Sequence, residues 1–412
     1  MKNKNKFRIT LLIALIAPLL AQAESWWEDN LDAINWTATW ATANKTITAF
    51  DGPLANINNV TLRQVVRISE GGRKVRVSFT NEFGTAPLRI SEAHVALRDT
   101  GSALIDSSGS QLTFSGSNSV SILPGARVVS DAIDMNVADN SDVVISTYLP
   151  DDVTGSGSPV TYHVRALQTN YIAPGNQASA SQLESPSNST AWHFLASVDV
   201  ANYWPMPVIA TLGDSITDGD QLGAPNEPVD TNVRYPDLLS KAIIAGGKAA
   251  SVINLGISGN QVLTSFLGEN PAARLGRDVL TQTGVTHVIY LEGINDIGLP
   301  VLLSVLGIPT PLNTAEDIIS GHQQVISRAK ASGLAVIGGT LTPSGGASLP
   351  GYNDALAESK RQAVNAWIRS SGAYDVVIDF DAALADPENP AAMRLDLTAD
   401  GLHPNAAGYQ VM

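Results

Sequence analysis

The sequence predicts an α/β domain built on a parallel sheet, preceded by an all-β sandwich domain. Two observations carry this. From Val208 onward, short apolar runs alternate with helical patterns, as expected for parallel strands covered on both faces by helices. From Trp36 to about Val200, strand-like alternation is broken by turn residues, which points to antiparallel strands packed face to face. A chain of 412 residues suits two domains. With 44% hydrophobic and 16% charged residues, both halves can bury a core.

The chain opens on a segment outside either domain. Lys2, Lys4, Lys6 and Arg8 precede an apolar run from Ile9 to Leu20, and Ala21-Gln22-Ala23 is a small-x-small site. This reads as a signal peptide over residues 1–23, cleaved after Ala23, which implies a secreted or periplasmic protein. The run is short for a membrane span, and no later stretch is long and apolar, so no stable membrane insertion is expected.

Lys and Arg number 25 against 39 Asp and Glu, and four of the basic residues fall in that opening segment, leaving a formal charge of −18. Such an acidic surface argues against nucleic acid as a partner. The absence of cysteine excludes disulfides, a thiol nucleophile and a cysteine metal site. Nothing in the composition fixes the oligomeric state.

In the first domain, residues 24–204, Val75, Val77 and Phe79 alternate with Arg76, Ser78 and Thr80. Ala93, Val95 and Leu97 alternate likewise, and Val143 to Tyr148 is a β-branched run. Gly175 to Thr190 has few large apolar residues and reads as a loop or a linker. Trp26, Trp27, Trp36, Trp40 and Trp192 serve either a core or a sugar-stacking platform, and aromatics of a sandwich favour the core.

In the second domain, residues 205–412, the expected strands are Val208–Leu212, Ser251–Leu255, His287–Leu291, Leu334–Gly338 and Val376–Asp379. Ile318, His322, Val325, Ile326 and Ala329 share one helical face, and Leu356, Ala363, Val364 and Trp367 another. Ile297 to Leu312 is apolar and contains prolines, which suits a pocket wall, a mobile lid or a buried connection. In open parallel sheets the chemistry gathers at the carboxyl ends of the strands.

The run ends carry Gly213-Asp214-Ser215-Ile216-Thr217-Asp218-Gly219, Gly256-Ile257-Ser258-Gly259-Asn260 and Gly293-Ile294-Asn295-Asp296, and Asp400-Gly401-Leu402-His403 stands near the C-terminus. A serine hydroxyl needs a base within hydrogen-bond reach, and the base needs a third group to fix its tautomer. Ser215, His403 and Asp400 are candidates for these three roles. Backbone N–H groups of Ser215 and Gly256, with the Asn295 amide, are candidate donors for an oxyanion. Asp214 and Asp296 are expected to brace their loops. His94, His163, His193, His287 and His322 are dispersed without metal-ligand spacing, so no metal is expected.

These four blocks resemble the SGNH hydrolase superfamily, the GDSL esterases and lipases, with serine at Ser215, glycine at Gly256, asparagine at Asn295 and histidine at His403. Asp400, three residues before His403, matches the family's acid, and GDSIT stands where the family name has GDSL. The resemblance covers residues 205–412. It implies a three-layer, flavodoxin-like hydrolase fold and cleavage of carboxylic esters through an acyl-enzyme, without metal or organic cofactor. The phrases from Trp36 to Ala41, Leu62 to Val66 and Val77 to Gly84 resemble the jelly-roll-like sandwich of secreted two-domain SGNH esterases. The family usually continues through a full final helix, of which Asn405 to Met412 looks like the opening turns. The substrate stays open between small short- to medium-chain esters, acylated polysaccharide bound through the first domain, and lipids. A carbohydrate-binding protein with a vestigial hydrolase and a surface adhesion module are the non-enzymatic rivals.

Overall fold

The computed structural model describes residues 34–221 and 229–412. The expected signal segment, Trp26 and Trp27 lie outside the described residues. Among the described residues no helix is long and apolar enough to cross a membrane.

Two large antiparallel sheets make up most of the first half, with two short antiparallel strand pairs beside them. One is ordered Asn35–Ala41, Leu195–Asn202, Gly72–Thr80 and Arg127–Val129, with Ile133–Val137 also pairing to Gly72–Thr80. The other is ordered Ser187–Ser189, Asn170–Pro174, Asn58–Arg67, Asp142–Asp152, Glu92–Leu97 and Ser110–Gln111. Val75, Val77 and Phe79 bury their side chains in one core with Val95, Val143 and Ile145, because alternate residues of a strand face the same side. Trp40 and Trp192 meet edge to face in that core, 5.0 Å between centroids. Trp36 is half-buried beneath the Arg76 guanidinium. The Gly175–Thr190 stretch is a loop within this half: Ser187–Ser189 returns to pair with Asn170–Ile172. The passage to the second half is made after Asn202.

The second half is a five-stranded, wholly parallel sheet, ordered Ser251–Gly256, Val208–Gly213, Val285–Leu291, Ala335–Gly339 and Val376–Ile378. The first strand in sequence sits second in space, so the strand order reverses beside it. That switch point is where an open α/β sheet leaves a crevice. The helix Ala315–Ala331 buries Ile318, His322, Val325, Ile326 and Ala329, the expected face. The helix Ala355–Ser370 instead buries Ala357, Arg361, Val364, Asn365 and Ile368, while Leu356 is exposed. Its inward stripe contains two polar residues whose hydrogen bonds are met inside: Arg361 on Glu358, Asp381 and the Leu341 carbonyl, Asn365 on Leu341 N and O. Ile297 to Leu312 divides: the helix Ile294–Val305 buries Ile297, Leu299, Pro300 and Leu303, whereas Val305, Leu306, Ile308 and Leu312 are exposed. After His403 runs the helix Ala406–Val411, capped by Asn405.

The halves are joined by more than a linker. Ala38, Ala41 and Ala43 of the sandwich lie in the core of the parallel-sheet half. Ala38 N–H donates to Thr283 O at 2.9 Å, and the Ser69 and Ser251 hydroxyls meet at 2.8 Å.

Candidate active site

The strand Val208–Gly213 ends in a tight turn into the short helix Ser215–Asp218. Asp214 caps it, its carboxylate accepting the Ile216 N–H at 3.0 Å. Ser215 is therefore the first helical residue, and its N–H has no intrahelical acceptor. The side chain is nearly buried.

On the far side of the crevice, residues 398–403 form a compact loop. Thr398 Oγ1 accepts Gly401 N–H at 3.0 Å and donates to His403 O at 2.7 Å. Gly401 has φ +78° and passes so close to Gly346 that a Cβ would lie 2.0 Å from the Gly346 carbonyl oxygen. Only glycine fits there. This turn carries Asp400 and His403 to one side. Asp400 Oδ1 accepts the N–H groups of Leu402 and His403, and Oδ2 lies 2.7 Å from His403 Nδ1. His403 Nε2 lies 3.0 Å from Ser215 Oγ. Because a carboxylate only accepts, Nδ1 holds the ring proton and the Nε2 lone pair faces the serine.

Burial pulls the His403 imidazole down, but the bond from Asp400 and the charges of Asp220, Asp400 and Asp214 outweigh it, leaving the ring above its ordinary value. Burial acts to raise the Asp400 carboxyl, and the bond and charge of His403 with the two backbone donors more than offset this, so it stays below the ordinary range. Deeper acids behave differently. Burial pushes Asp214 and Asp296 each up to about 7. Burial, then the charge of Asp214, holds Glu292 well above a normal carboxyl.

Asn295 stands in the first turn of the helix Ile294–Val305. Its Nδ2 donates to Asn260 O at 3.0 Å, and its Oδ1 accepts from the Tyr352 hydroxyl at 2.8 Å. One Nδ2 proton remains. Asp296 braces the neighbouring turn, accepting Val262 N–H at 2.7 Å and Leu263 N–H at 3.0 Å.

Gly256 differs from expectation. Its N–H is spent on Asn254 Oδ1 at 2.9 Å, so it is not a free donor. It still belongs to the strand, and the Asn254 side chain folds back over it while Nδ2 donates to Thr217 O at 2.8 Å. The reason for glycine is steric: a Cβ would lie 2.3 Å from Asp218 N. Gly259, in the turn beyond, has φ +75°, and its N–H has no hydrogen-bond partner among the described residues.

Several residues of the site carry no local sequence signal. Arg274, fully buried, donates to Gly213 O at 3.0 Å, Leu255 O at 2.7 Å and Asn260 Oδ1 at 3.0 Å, tying two strand ends to the turn that holds Asn295. Tyr352 reaches Asn295 from a loop. His163, one of the histidines dispersed in the sequence without metal-ligand spacing, has Asp218 Oδ1 3.0 Å from its Nε2. That contact joins elements 55 residues apart, so spacing could not reveal it. His322 packs inside, between Tyr374 OH and Glu292 O. Among the described residues, no group of three or more His, Asp or Glu is placed to hold a metal.

Residues 211–411 match the family model described as the GDSL-like lipase/acylhydrolase family. The C-terminal half is a GDSL-like lipase/acylhydrolase domain. Similar solved structures include an aryl esterase from M. smegmatis, 18% identical, covering 50% of this chain and 93% of that one, TM-score 0.39. A GDSL-like lipase from Bacteroides thetaiotaomicron is 20% identical, with coverage of 50% and 84% and TM-score 0.36. A carbohydrate acetylesterase from Sinorhizobium meliloti is 15% identical, with coverage of 50% and 94% and TM-score 0.38. A comparison with curated proteins finds no match. The GDSL-like domain begins within the first parallel strand and ends within the helix after His403, so its span takes in Ser215, Asn295, Asp400 and His403.

Proposed function

We propose that this GDSL-like domain is a serine esterase acting on carboxylic esters of short to medium acyl chains through an acyl-enzyme on Ser215. The observation that carries the reading is the continuous chain Asp400 Oδ2, His403, Ser215 Oγ, with contacts of 2.7 and 3.0 Å. His403 Nε2 takes the hydroxyl proton as Ser215 Oγ attacks the ester carbonyl. The carbonyl oxygen becomes an anion, met by the N–H of Ser215, the free Nδ2 proton of Asn295 and a backbone N–H from the turn after Ser251–Gly256. Gly259 replaces Gly256 as that donor, because its N–H is uncommitted among the described residues. The intermediate collapses, and the alcohol leaves with the proton from His403. Water then attacks the acyl-enzyme by the same steps in reverse roles, releasing the acid and restoring Ser215. Asp400 keeps the imidazole in the required tautomer and steadies its charged form. No metal or organic cofactor enters these steps. The basic and apolar opening segment with Ala21-Gln22-Ala23 supports action outside the cytoplasm.

The test is hydrolysis of a 4-nitrophenyl ester series from acetate upward, with acetylated xylan in parallel, by the wild type and by Ser215→Ala. The expected result is turnover of the shorter esters that falls to background in Ser215→Ala. Undiminished hydrolysis by Ser215→Ala overturns the reading. Release of acetate from xylan, with weak turnover of soluble esters, assigns the substrate to acylated polysaccharide.

A further inference from the structure

The segment that carries Ser215 is gripped from outside its own domain. After the helix Ser215–Asp218, Gly219 turns the chain at φ 109°, and the N–H groups of Gly219 and Asp220 both donate to Ser215 O, at 2.8 and 2.9 Å. The side chains of Asp218 and Asp220, both buried, then reach in two directions. Toward the sandwich, Asp218 Oδ1 meets His163 Nε2 at 3.0 Å, and Asp220 Oδ1 accepts from Arg165 Nε at 2.5 Å. Toward the turn that precedes Gly259, Asp218 Oδ2 accepts Ser258 N–H at 3.1 Å and Asp220 Oδ2 accepts the Ser258 hydroxyl. A third tie comes from the helix after His403, where Tyr409 OH donates to Asp220 O at 2.8 Å.

We propose that Arg165 and His163 are positioning residues of the hydrolase site, so that the β-sandwich is a working part of the active centre and not an appended binding module. The proposal rests on Ser215 and His403 being the nucleophile and base. His163 is itself anchored in the sandwich, its Nδ1 2.9 Å from Ala43 O. The two sandwich residues thus pull on the carboxylates that hold the donor turn, and one of the two residues bearing them, Asp220, also bonds Ser215 O through its backbone N–H. Displacement of either sandwich residue moves the nucleophile and the oxyanion donors together.

Charge follows the same route. The groups bearing on His403 are Asp400 from its own loop, and Asp214 and Asp220 from the nucleophile segment. Asp220 in turn faces Arg165, Asp218 and Ser258, and His163 faces Asp218 and Arg234. Burial pushes the Asp220 carboxyl up, and the Arg165 charge draws it back. Without that cation, a fully buried carboxylate takes up a proton. Asp220 then no longer supports the protonated form of His403, and the base titrates at lower pH.

The experiment measures kcat, KM and the pH profile of kcat/KM on a 4-nitrophenyl ester for Arg165→Met, Arg165→Lys, Asp220→Asn and the double variant Arg165→Met/Asp220→Asn, with thermal unfolding recorded for each. Misplacing a nucleophile costs turnover rather than affinity, so Arg165→Met should lose about tenfold to a hundredfold in kcat with KM within about twofold. The acid limb of kcat/KM should move to lower pH in Arg165→Met and Asp220→Asn alike. Arg165→Lys should restore most of kcat, and the double variant should be no worse than Arg165→Met. Unchanged kcat and acid limb in Arg165→Met overturn the proposal, whatever happens to its Tm. If Arg165→Met does not fold, the double variant, which leaves no lone buried charge, takes its place: wild-type kcat and acid limb there overturn the proposal equally. Activity surviving in Ser215→Ala would refute the nucleophile instead, which keeps the two failures apart.

Discussion

The Tyr352 hydroxyl donates to Asn295 Oδ1 at 2.8 Å and so fixes which way the amide is turned. With Oδ1 held by Tyr352 and one Nδ2 proton on Asn260 O, the second Nδ2 proton is aimed without reorganisation. Asn295→Ala removes the donor and should cost about 10²–10³ in kcat. Tyr352→Phe leaves the donor but frees the amide to rotate, and should cost about fivefold, because a buried hydrogen bond to a neutral acceptor contributes about 1 kcal/mol net. Steady-state kinetics separates the two: both should lower kcat with little change in KM.

The pH dependence follows from His403. As the proposed base it must be neutral, and its surroundings hold it above its ordinary value of 6.5. Activity should therefore rise with pH through a limb lying above 6.5 and fade below it. Asp400→Asn removes the strongest support for the protonated ring, so the limb should move to lower pH while kcat falls at every pH. A pH profile of kcat/KM for both proteins checks this, and an unshifted limb in Asp400→Asn would place the titration on another group.

The parallel strands are legible in the sequence because each is a continuous apolar run, and the serine and histidine blocks because each acts over three or four residues. The inward face of Ala355–Ser370 escapes the pattern for a physical reason. Arg361 and Asn365 occupy it, and a hydrophobic stripe cannot reveal a buried arginine whose charge is met by Asp381 and Glu358. The expectation for Gly256 fails similarly. A glycine at a strand end offers an N–H in principle, but only the fold shows that Asn254 takes it. The His163 and Arg165 contacts, and Tyr352 on Asn295, join residues distant in sequence and have no periodicity to announce them.

Gly256→Ala tests the steric account of that position. The added Cβ meets Asp218 N at 2.3 Å, Asp218 Cα at 2.7 Å and Thr217 C at 2.8 Å, all backbone. None of these can swing aside, so the helix that opens on Ser215 must move. Overpacking of this kind costs about 1–3 kcal/mol. Chemical denaturation should show that loss together with a fall in kcat. Full activity at wild-type stability would show that the strand end and the helix are not in contact in solution.

Glu292 offers a test of the buried acids through stability rather than rate. It follows the strand Val285–Leu291 directly, is fully buried, and has no hydrogen-bond partner on either oxygen among the described residues. The nearest cation, Arg274, stands 3.9 Å away with its other bonds committed elsewhere. The folded state therefore keeps the proton well above 4.5, whereas the unfolded chain releases it near 4.5. Between those two values the native state binds the extra proton, so stability falls as pH rises, by about 1.4 kcal/mol per pH unit for one group. Glu292→Gln keeps the shape and removes the titration. Its unfolding free energy, measured by denaturant from about pH 5 upward, should decline less steeply than that of the wild type, by about that slope. Parallel curves for the two proteins would mean that Glu292 is ionised and paired in the folded state, and would shift the burden of neutralising it onto Arg274.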